Sequence, residues 1–483
     1  MPVFADVDAR LEFSAQPCAN KKFLIVISVT PATTLLRYNG CATKLNVVKK
    51  ERGNRMFCYQ CQQTAKGGCT IKGVCGKTED IASLQDITVF GLKGVAAYAT
   101  HAKQLGYTDP EVDAITHEAL YTTLTNVNFN LDDHIKMALK VGTATVKVMD
   151  LLDRAHLDRL GVPNPTVVSQ DQIEGKCILV TGHNYLALEK LLAQSQGLGI
   201  NIYTHSEMLP AHGYPELKKY PHLKGNVGKA WYDQRKVFEE FPGAILGTTN
   251  CLMPIKGSYA SRFFTYDVTG LMDVQKIEND DFAPLISKAL ELPAASQTSN
   301  KTLTTGYHHQ TVLAIAPEII SAVKEGKIRR FFVIAGCDAP GSGGNYYRTL
   351  ATNLPMDCVI LTTSCGKFRF NDVDFGVVPG TNIPRYIDLG QCNNSGSAVK
   401  IAAALAEAFG CGVNDLPLSI VLSWYEQKAV AILLGLFSLG VQNVYIGPTP
   451  PAFISPGVLS ALQTHWNLKL ISNAADDMAT MLA

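Results

Sequence analysis

Four cysteines stand close together near the start of the chain, Cys58, Cys61, Cys69 and Cys75, in a C-x2-C-x7-C-x5-C array. Thiolates at this density bind zinc or an iron–sulfur cluster, and spacing alone does not choose between them. Glycines at positions 67, 68, 73 and 76 let the loop bend around such a group. A second constellation is scattered but repetitive. Short apolar runs that read as buried strands end on His183, Glu207, Cys251, Cys337, Cys365, Cys392 and Glu426, with Lys428 close behind the last. Ligands of open α/β sheets gather at the carboxyl ends of the strands, so seven such ends can converge on one point. Cysteines, a histidine, glutamates and a lysine form a mixed soft and hard set. That set suits iron held partly by sulfur and partly by oxygen or nitrogen, with a position open to a small substrate. Redox chemistry at a metal cluster is the expectation.

The elements that must carry these residues follow from periodicity. From Glu79 to about Leu160 the apolar residues fall at helical spacing, and Asp109-Pro110 supplies an N-cap and a first-turn proline, so three helices fit. His101, His117, His134 and His156 on these helices read as packing or surface residues. Gly161-Val-Pro-Asn-Pro165 reads as a linker, after which short apolar strands alternate with helices. The fold class expected is α/β with an N-terminal α-helical domain: a helical bundle plus two Rossmann-like α/β domains meeting at a metal cluster. The divisions are an extension over 1–55, the cysteine array and bundle over 56–165, a first α/β domain over 166–326 and a second over 327–483. Gly341-Ser-Gly-Gly344 matches no phosphate-loop pattern and reads as a backbone turn near the site. Cys177 and Cys358, inside strands, read as small buried apolar residues; Cys18, Cys41 and Cys411 have no evident partner.

Composition bounds the rest. The chain has 483 residues, 47% of them apolar, enough for several cores. Lys plus Arg (43) balances Asp plus Glu (42), which leaves no net charge to attract nucleic acid or an anionic membrane. Thirteen cysteines, an odd number with CxxC spacing, point to metal rather than disulfides and to a reducing, cytoplasmic compartment. No apolar run approaches the roughly 20 residues needed to span a bilayer. Residues 1–55 carry few acidic side chains and a basic patch near Lys49 to Arg55, and read as a targeting peptide or as an extension without a role in the chemistry.

From Met56 onward the sequence resembles the hybrid cluster proteins, also called prismane proteins or hydroxylamine reductases, in the shorter subgroup without a second helical bundle. The resemblance rests on Tyr203-Thr-His-Ser-Glu-Met-Leu-Pro-Ala-His-Gly-Tyr-Pro215, Phe241-Pro-Gly-Ala-Ile-Leu-Gly-Thr-Thr-Asn-Cys251, Ala335-Gly-Cys-Asp338, Ser364-Cys-Gly-Lys367, Gly390-Gln-Cys-Asn393 and Trp424-Tyr-Glu-Gln-Lys-Ala429. It implies that His183, Glu207, Cys251, Cys337, Cys365, Cys392 and Glu426 bind a hybrid 4Fe-2O-2S cluster, with Cys337 as a persulfide and Lys428 beside its oxygen-rich side. Cys58, Cys61, Cys69 and Cys75 then hold a 4Fe-4S cluster. The activity implied is two-electron reduction of hydroxylamine to ammonia and water, with Glu207, His183, Cys337, Glu426 and Lys428 in catalytic roles. Nitric oxide reduction and protein nitrosylation or redox sensing are the alternatives. A small nitrogenous substrate, a separate electron-donor protein and contacts between copies in a homo-oligomer are the implied partners; nucleic acid and membrane are not. The chain departs from the family pattern at Asn184, where the family has aspartate, at Ser206, where it has glycine, and at Asn393-Asn394-Ser395.

Overall fold

The computed structural model describes residues 56–64, 67–423 and 426–483, together with the backbone of four short strands within 9–49. The remainder of the 1–55 extension, and Trp424 and Tyr425 of the motif around Glu426, lie outside the described residues. The chain forms two compact units, residues 1–79 and 80–483. Among the described residues no helix is long and apolar enough to cross a membrane.

Three helices lead into the larger unit: α1 (Glu79–Gln104), α2 (Pro110–Thr122) and α3 (Leu131–Leu160). Asp109 accepts hydrogen bonds from the Glu111 and Val112 amides, and Asn130 accepts from Asp132 and Asp133, so both caps are made by short polar side chains. His117 is exposed on α2, whereas His134 and His156 are buried on α3.

Two parallel sheets follow. The first contains β1 (Gln172–Thr181), β2 (Ile200–His205), β3 (Leu223–Asn226), β4 (Ala244–Gly247), β5 (Phe263–Tyr266) and β6 (Gln275–Ile277), in the order β6-β5-β4-β1-β2-β3, with β7 (Ala295–Gln297) added antiparallel to β1. The second contains β8 (Arg330–Gly336), β9 (Cys358–Thr362), β10 (Tyr386–Asp388), β11 (Leu418–Ser423), β12 (Val444–Gly447) and β13 (Lys469–Leu470), in the order β10-β9-β8-β11-β12-β13. Strands such as β4 and β9 are buried along their whole length, as expected where helices cover both faces. Cys177 and Cys358 are both fully buried in strands, as read.

In both sheets the chain builds outward on one side and then returns to the other. The reversal falls between β1 and β4 in the first sheet and between β8 and β11 in the second. Such switch points leave a crevice at the carboxyl ends of the two strands concerned. His183 and Cys251 follow the first pair of strands, and Cys337 and Glu426 follow the second. Gly336 ends β8 at φ 101°, and a Cβ there would meet the Ser423 carbonyl oxygen at 1.8 Å, so the turn that presents Cys337 admits only glycine.

The helix after β11, α4 (Gln427–Ser438), is clamped between α1 and α3. Val430, Ile432 and Leu434 join a core with Leu84, Ile87, Val95, Val141 and Val148. A Cβ on Gly142 would lie 2.1 Å from the Leu434 carbonyl oxygen, and one on Gly94 would lie 2.5 Å from the Ala431 Cβ. Backbone-to-backbone approach of this kind fixes where α4 begins, and Glu426 and Lys428 stand at that beginning. Gly142→Ala gains about 1 kcal/mol of helix propensity but meets a carbonyl that cannot rotate away, and overpacking costs about 1–3 kcal/mol. The expected outcome is a net loss of stability of up to about 2 kcal/mol, read as a lower urea midpoint with unchanged slope; equal or greater stability would refute the close-packing account.

Candidate metal centres

In the smaller unit the cysteine array is tied by backbone. The Phe57 amide donates to the Cys69 carbonyl at 2.8 Å and the Cys69 amide to the Cys58 carbonyl at 2.7 Å, which brings the two halves of the array side by side. The Thr64 hydroxyl lies 3.5 Å from Cys61 Sγ and 3.8 Å from Cys69 Sγ. Lys77, 1% exposed, donates to Cys58 Sγ at 3.8 Å. No three of the four sulfurs lie within 4.8 Å of one another. Four thiolates so tied together can hold an iron–sulfur cluster.

In the larger unit, His183, Glu207, Cys251, Cys337, Cys365, Cys392 and Glu426 all line one cavity, together with Thr181, Ser206, Trp231, Asn250 and Ser364. All seven residues that the sequence placed at strand ends are therefore brought together. Donor atoms of His183, Glu207 and Cys392 lie within 4.8 Å of one another, and the other four stand around them. Seven donors spread around such a cavity exceed what one ion can use, so the set fits a polynuclear group.

Hydrogen bonds orient these side chains. Lys428 Nζ lies 3.0 Å from His183 Nε2, and His183 Nδ1 lies 2.8 Å from Thr249 Oγ1. The arrangement that satisfies both bonds has the ammonium donating to Nε2 and a neutral imidazole donating from Nδ1–H, which leaves Nε2 as the ligand atom. Glu207 Oε2 accepts from the Cys392 amide at 2.9 Å, while its Oε1 is buried without a partner. That orphaned oxygen is what a metal would satisfy. The Asn250 amide donates to Glu426 Oε2 at 3.1 Å and to Cys251 Sγ at 3.3 Å. Gln391 Nε2 donates to the His183 and Glu207 carbonyls at 3.2 and 2.8 Å, which binds the second sheet's loop to the first sheet's strand ends.

The charges explain why cations belong here. Burial pushes the thiols of Cys251 and Cys392 up to about 12, and those of Cys337 and Cys365 well above the ordinary range, with the neighbouring carboxylates raising them further. Glu426 is raised by burial, with Lys428 opposing. For Glu207, burial pulls upward but His183, whose Nε2 lies 3.5 Å from Oε2, with Lys367 and Lys428, brings the carboxyl below its usual value. His183 is lowered by burial and then by Lys428. Burial works against the Lys428 ammonium, yet Cys392, Glu426, Cys251 and Glu207 more than offset it, so the lysine stays charged.

Helix α1 adds Tyr98, which the sequence reading passed over, and His101, which it read as a packing or surface residue. Tyr98 is buried against Cys392, and His101 is pushed down to about 3 by burial and by nearby Lys428 and His183. His101 is thus a packing residue, as read, but one that packs beside the site. Two of the departures from the family pattern are also explained. Asn184 caps the helix Tyr185–Ser195 by accepting from the Ala187 amide, a task either amide or carboxylate can perform. Ser206 adopts φ 53°, a conformation that glycine takes without strain.

Lys367 and Asp388 form a fully buried pair at 2.6 Å, and the ammonium also donates to the Gly390 carbonyl at 2.8 Å. This links the turn of Cys365 to the turn of Cys392. Removing one partner of a buried pair strands the other, at about 3–5 kcal/mol. Lys367→Met is expected to lose that much in denaturation and to bind less iron; wild-type stability would show the pair to be dispensable. A pH test reports on the four thiols. In the metal-free chain Cys251 and Cys392 keep their protons up to about 12, and Cys337 and Cys365 are raised well above the ordinary range, whereas in the unfolded chain thiols ionise near about 8.5. Above that value the unfolded state binds fewer protons, so the contribution is fully present at neutral pH and is lost as pH rises. The urea midpoint of the iron-free protein is expected to fall between neutral pH and about pH 10, and to fall less once iron is bound; a flat profile would contradict the burial assigned to the thiols.

The model of the Prismane/CO dehydrogenase family matches residues 56–137 and 105–479. A protein named hydroxylamine reductase from Moorella thermoacetica is 59% identical over 428 residues, which is 88% of this chain and all of that protein. One of the same name from Methanothermobacter thermautotrophicus is 49% identical over the same shares. Another from Syntrophobacter fumaroxidans is 40% identical over 543 aligned positions, again 88% of this chain and all of that protein, so it carries a segment with no counterpart here. Among solved structures, carbon monoxide dehydrogenase IV from Carboxydothermus hydrogenoformans superposes with a TM-score of 0.72 at 14% identity, covering 90% of this chain and 93% of that one. The carbon monoxide dehydrogenase of Thermococcus sp. AM4 gives 0.70 at 17%, covering 88% and 90%. At such identities the likeness is one of fold, and it agrees with the α/β architecture and its helical entry. With the family model matched across nearly all of the chain from Met56, and relatives of this identity covered end to end, the chain belongs to the Prismane/CO dehydrogenase family.

Proposed function

We propose that this chain is a hydroxylamine reductase, carrying out NH2OH + 2 e⁻ + 2 H⁺ → NH3 + H2O. The observation that carries the reading is the single buried cavity lined by His183, Glu207, Cys251, Cys337, Cys365, Cys392 and Glu426. Those seven would hold the hybrid 4Fe-2O-2S cluster, and Cys58, Cys61, Cys69 and Cys75 the 4Fe-4S cluster. When bound, these groups supply the two electrons and an open position for the substrate.

The chain's residues do the rest. The cavity admits a small polar molecule and, being walled by buried side chains, excludes bulk water. Reduction of the N–O bond needs a proton on the departing hydroxyl oxygen. Lys428, held as an ammonium by the surrounding thiols and carboxylates, is positioned to hydrogen-bond that oxygen and neutralise its charge. His183, neutral and fixed by Thr249, and Glu207 are the other groups through which a proton can pass. Cys337, behind the switch point of the second sheet, offers a sulfur that the resemblance assigns to a persulfide. Electrons would come from a separate donor protein, and the eleven free cysteines among the described residues agree with a reducing, cytoplasmic setting.

Glu426 discriminates this reading from a purely structural one. Its carboxylate is the N-cap of α4, accepting from the Lys428 amide at 3.3 Å, and a cap alone is worth about 1 kcal/mol. Glutamine can still cap, but it removes an anionic oxygen ligand. Glu426→Gln is expected to keep the fold and the 4Fe-4S signal while the hybrid-cluster signal changes. Hydroxylamine reduction driven by a chemical reductant should fall at least about tenfold, or about 1.4 kcal/mol in barrier. Wild-type turnover with an unchanged cluster spectrum would reject the ligand role.

A further inference from the structure

Lys77 is a long cationic side chain with 1% of its surface exposed. Its position is imposed by the backbone. The Gly73 amide donates to the Lys77 carbonyl at 3.1 Å and the Gly76 amide to the Gly73 carbonyl at 2.9 Å, which folds the chain after Cys69 into a tight loop around Cys75. A Cβ on Gly73 would lie 2.5 Å from the Lys77 carbonyl oxygen and 3.2 Å from the Lys77 Cβ, so the two strands of the loop touch. The side chain is thereby turned inward, and its Nζ donates to Cys58 Sγ at 3.8 Å, across the whole length of the array.

Burying an ammonium is costly unless a negative charge meets it. Four thiolates bring more negative charge than an iron–sulfur core offsets, and hydrogen bonds to the sulfurs together with net charge set the potential of such a cluster. The Thr64 hydroxyl beside Cys61 and Cys69 is a neutral donor; Lys77 brings a full charge. We propose that Lys77 is the counter-charge of the cluster held by Cys58, Cys61, Cys69 and Cys75, and that its N–H···S bond to Cys58 sets that cluster's reduction potential. The proposal rests on the 4Fe-4S reading above. In the step concerned, an external one-electron donor is oxidised and the cluster gains one electron. The positive charge of Lys77 favours the more negative, reduced form. Lys77 is a positioning residue that acts through the Cys58 sulfur.

The test is a mediator-buffered redox titration of the full-length, iron-loaded protein, followed by the EPR signal of the reduced 4Fe-4S cluster, with no substrate present. In Lys77→Met, of similar length and uncharged, the ratio of reduced to oxidised cluster at the wild-type midpoint is expected to fall at least tenfold, a shift of about 59 mV for one electron. Lys77→Arg, which keeps the charge, is expected to titrate close to the wild type. If Lys77→Met does not retain the cluster, retention with a wild-type midpoint in Lys77→Arg supports the counter-charge role. Loss of the cluster from both variants, or a shifted midpoint in Lys77→Arg, overturns it in favour of packing. An unchanged midpoint in Lys77→Met overturns this proposal alone. Absence of a 4Fe-4S signal from the unmodified protein overturns it together with the reading it rests on, whereas failure to reduce hydroxylamine leaves it standing.

Discussion

Four thiols, two carboxylates and an imidazole face one another across a cavity from which water is excluded, and the larger unit is organised by the need to hold them there. Each group alone would rather be solvated, and the shifts of Cys251, Cys337, Cys365, Cys392 and Glu426 all record that penalty. The fold answers with rigidity. Both sheets place their topological reversal at the same crevice, so most donors sit on strand ends buried on both faces rather than on free loops. Short turns then aim them, and glycines such as Gly336 exist where nothing larger fits beneath a carbonyl.

Cross-links between the sheets complete the arrangement. Gln391 reaches from the turn of Cys392 to the carbonyls of His183 and Glu207, and the Cys392 amide binds the Glu207 carboxylate. Lys367 and Asp388 join the Cys365 and Cys392 turns from below. The helical entry contributes in a different way. It makes no strand-end donor, but α1 and α3 grip α4 through small residues, and α4 carries Glu426 and Lys428 at its first turn. Displacing the grip by a methyl group would move the two residues that bring opposite charges to the cavity.

Much of this was legible in the chain itself because parallel strands advertise themselves as short apolar runs, and a reactive side chain directly after each run is an unusual repetition. His183, Glu207, Cys251, Cys337, Cys365, Cys392 and Glu426 were all readable on that ground. Tyr98, His101, Thr249, Asn250 and Gln391 were not. They sit on a helix or beside a ligand, are of types that fill many structural roles, and meet the site through contacts that span long stretches of sequence. The Lys367–Asp388 pair was hidden for the same reason: only the register of β9 and β10 brings the two turns together. In the array the opposite held. Its cysteines were plain, but the choice between zinc and a cluster needed the family membership, which spacing along the chain does not give.

The ammonium of Lys428 ties these points together. It donates to His183 Nε2, the same lone pair that a metal would use, and is kept charged by the thiols and carboxylates that a metal would bind. In the chain by itself, therefore, the lysine stands where positive charge is wanted and limits the repulsion among seven poorly solvated donors. If iron were held at Nε2, the lysine would give up that bond, and its charge would remain near Glu426, two residues away, on a helix start held by Gly94 and Gly142. A cation displaced from a ligand but fixed beside the cavity is the arrangement needed to meet a developing negative oxygen. The same lysine would thereby both ease the packing of these donors and meet the substrate once the cluster is held there.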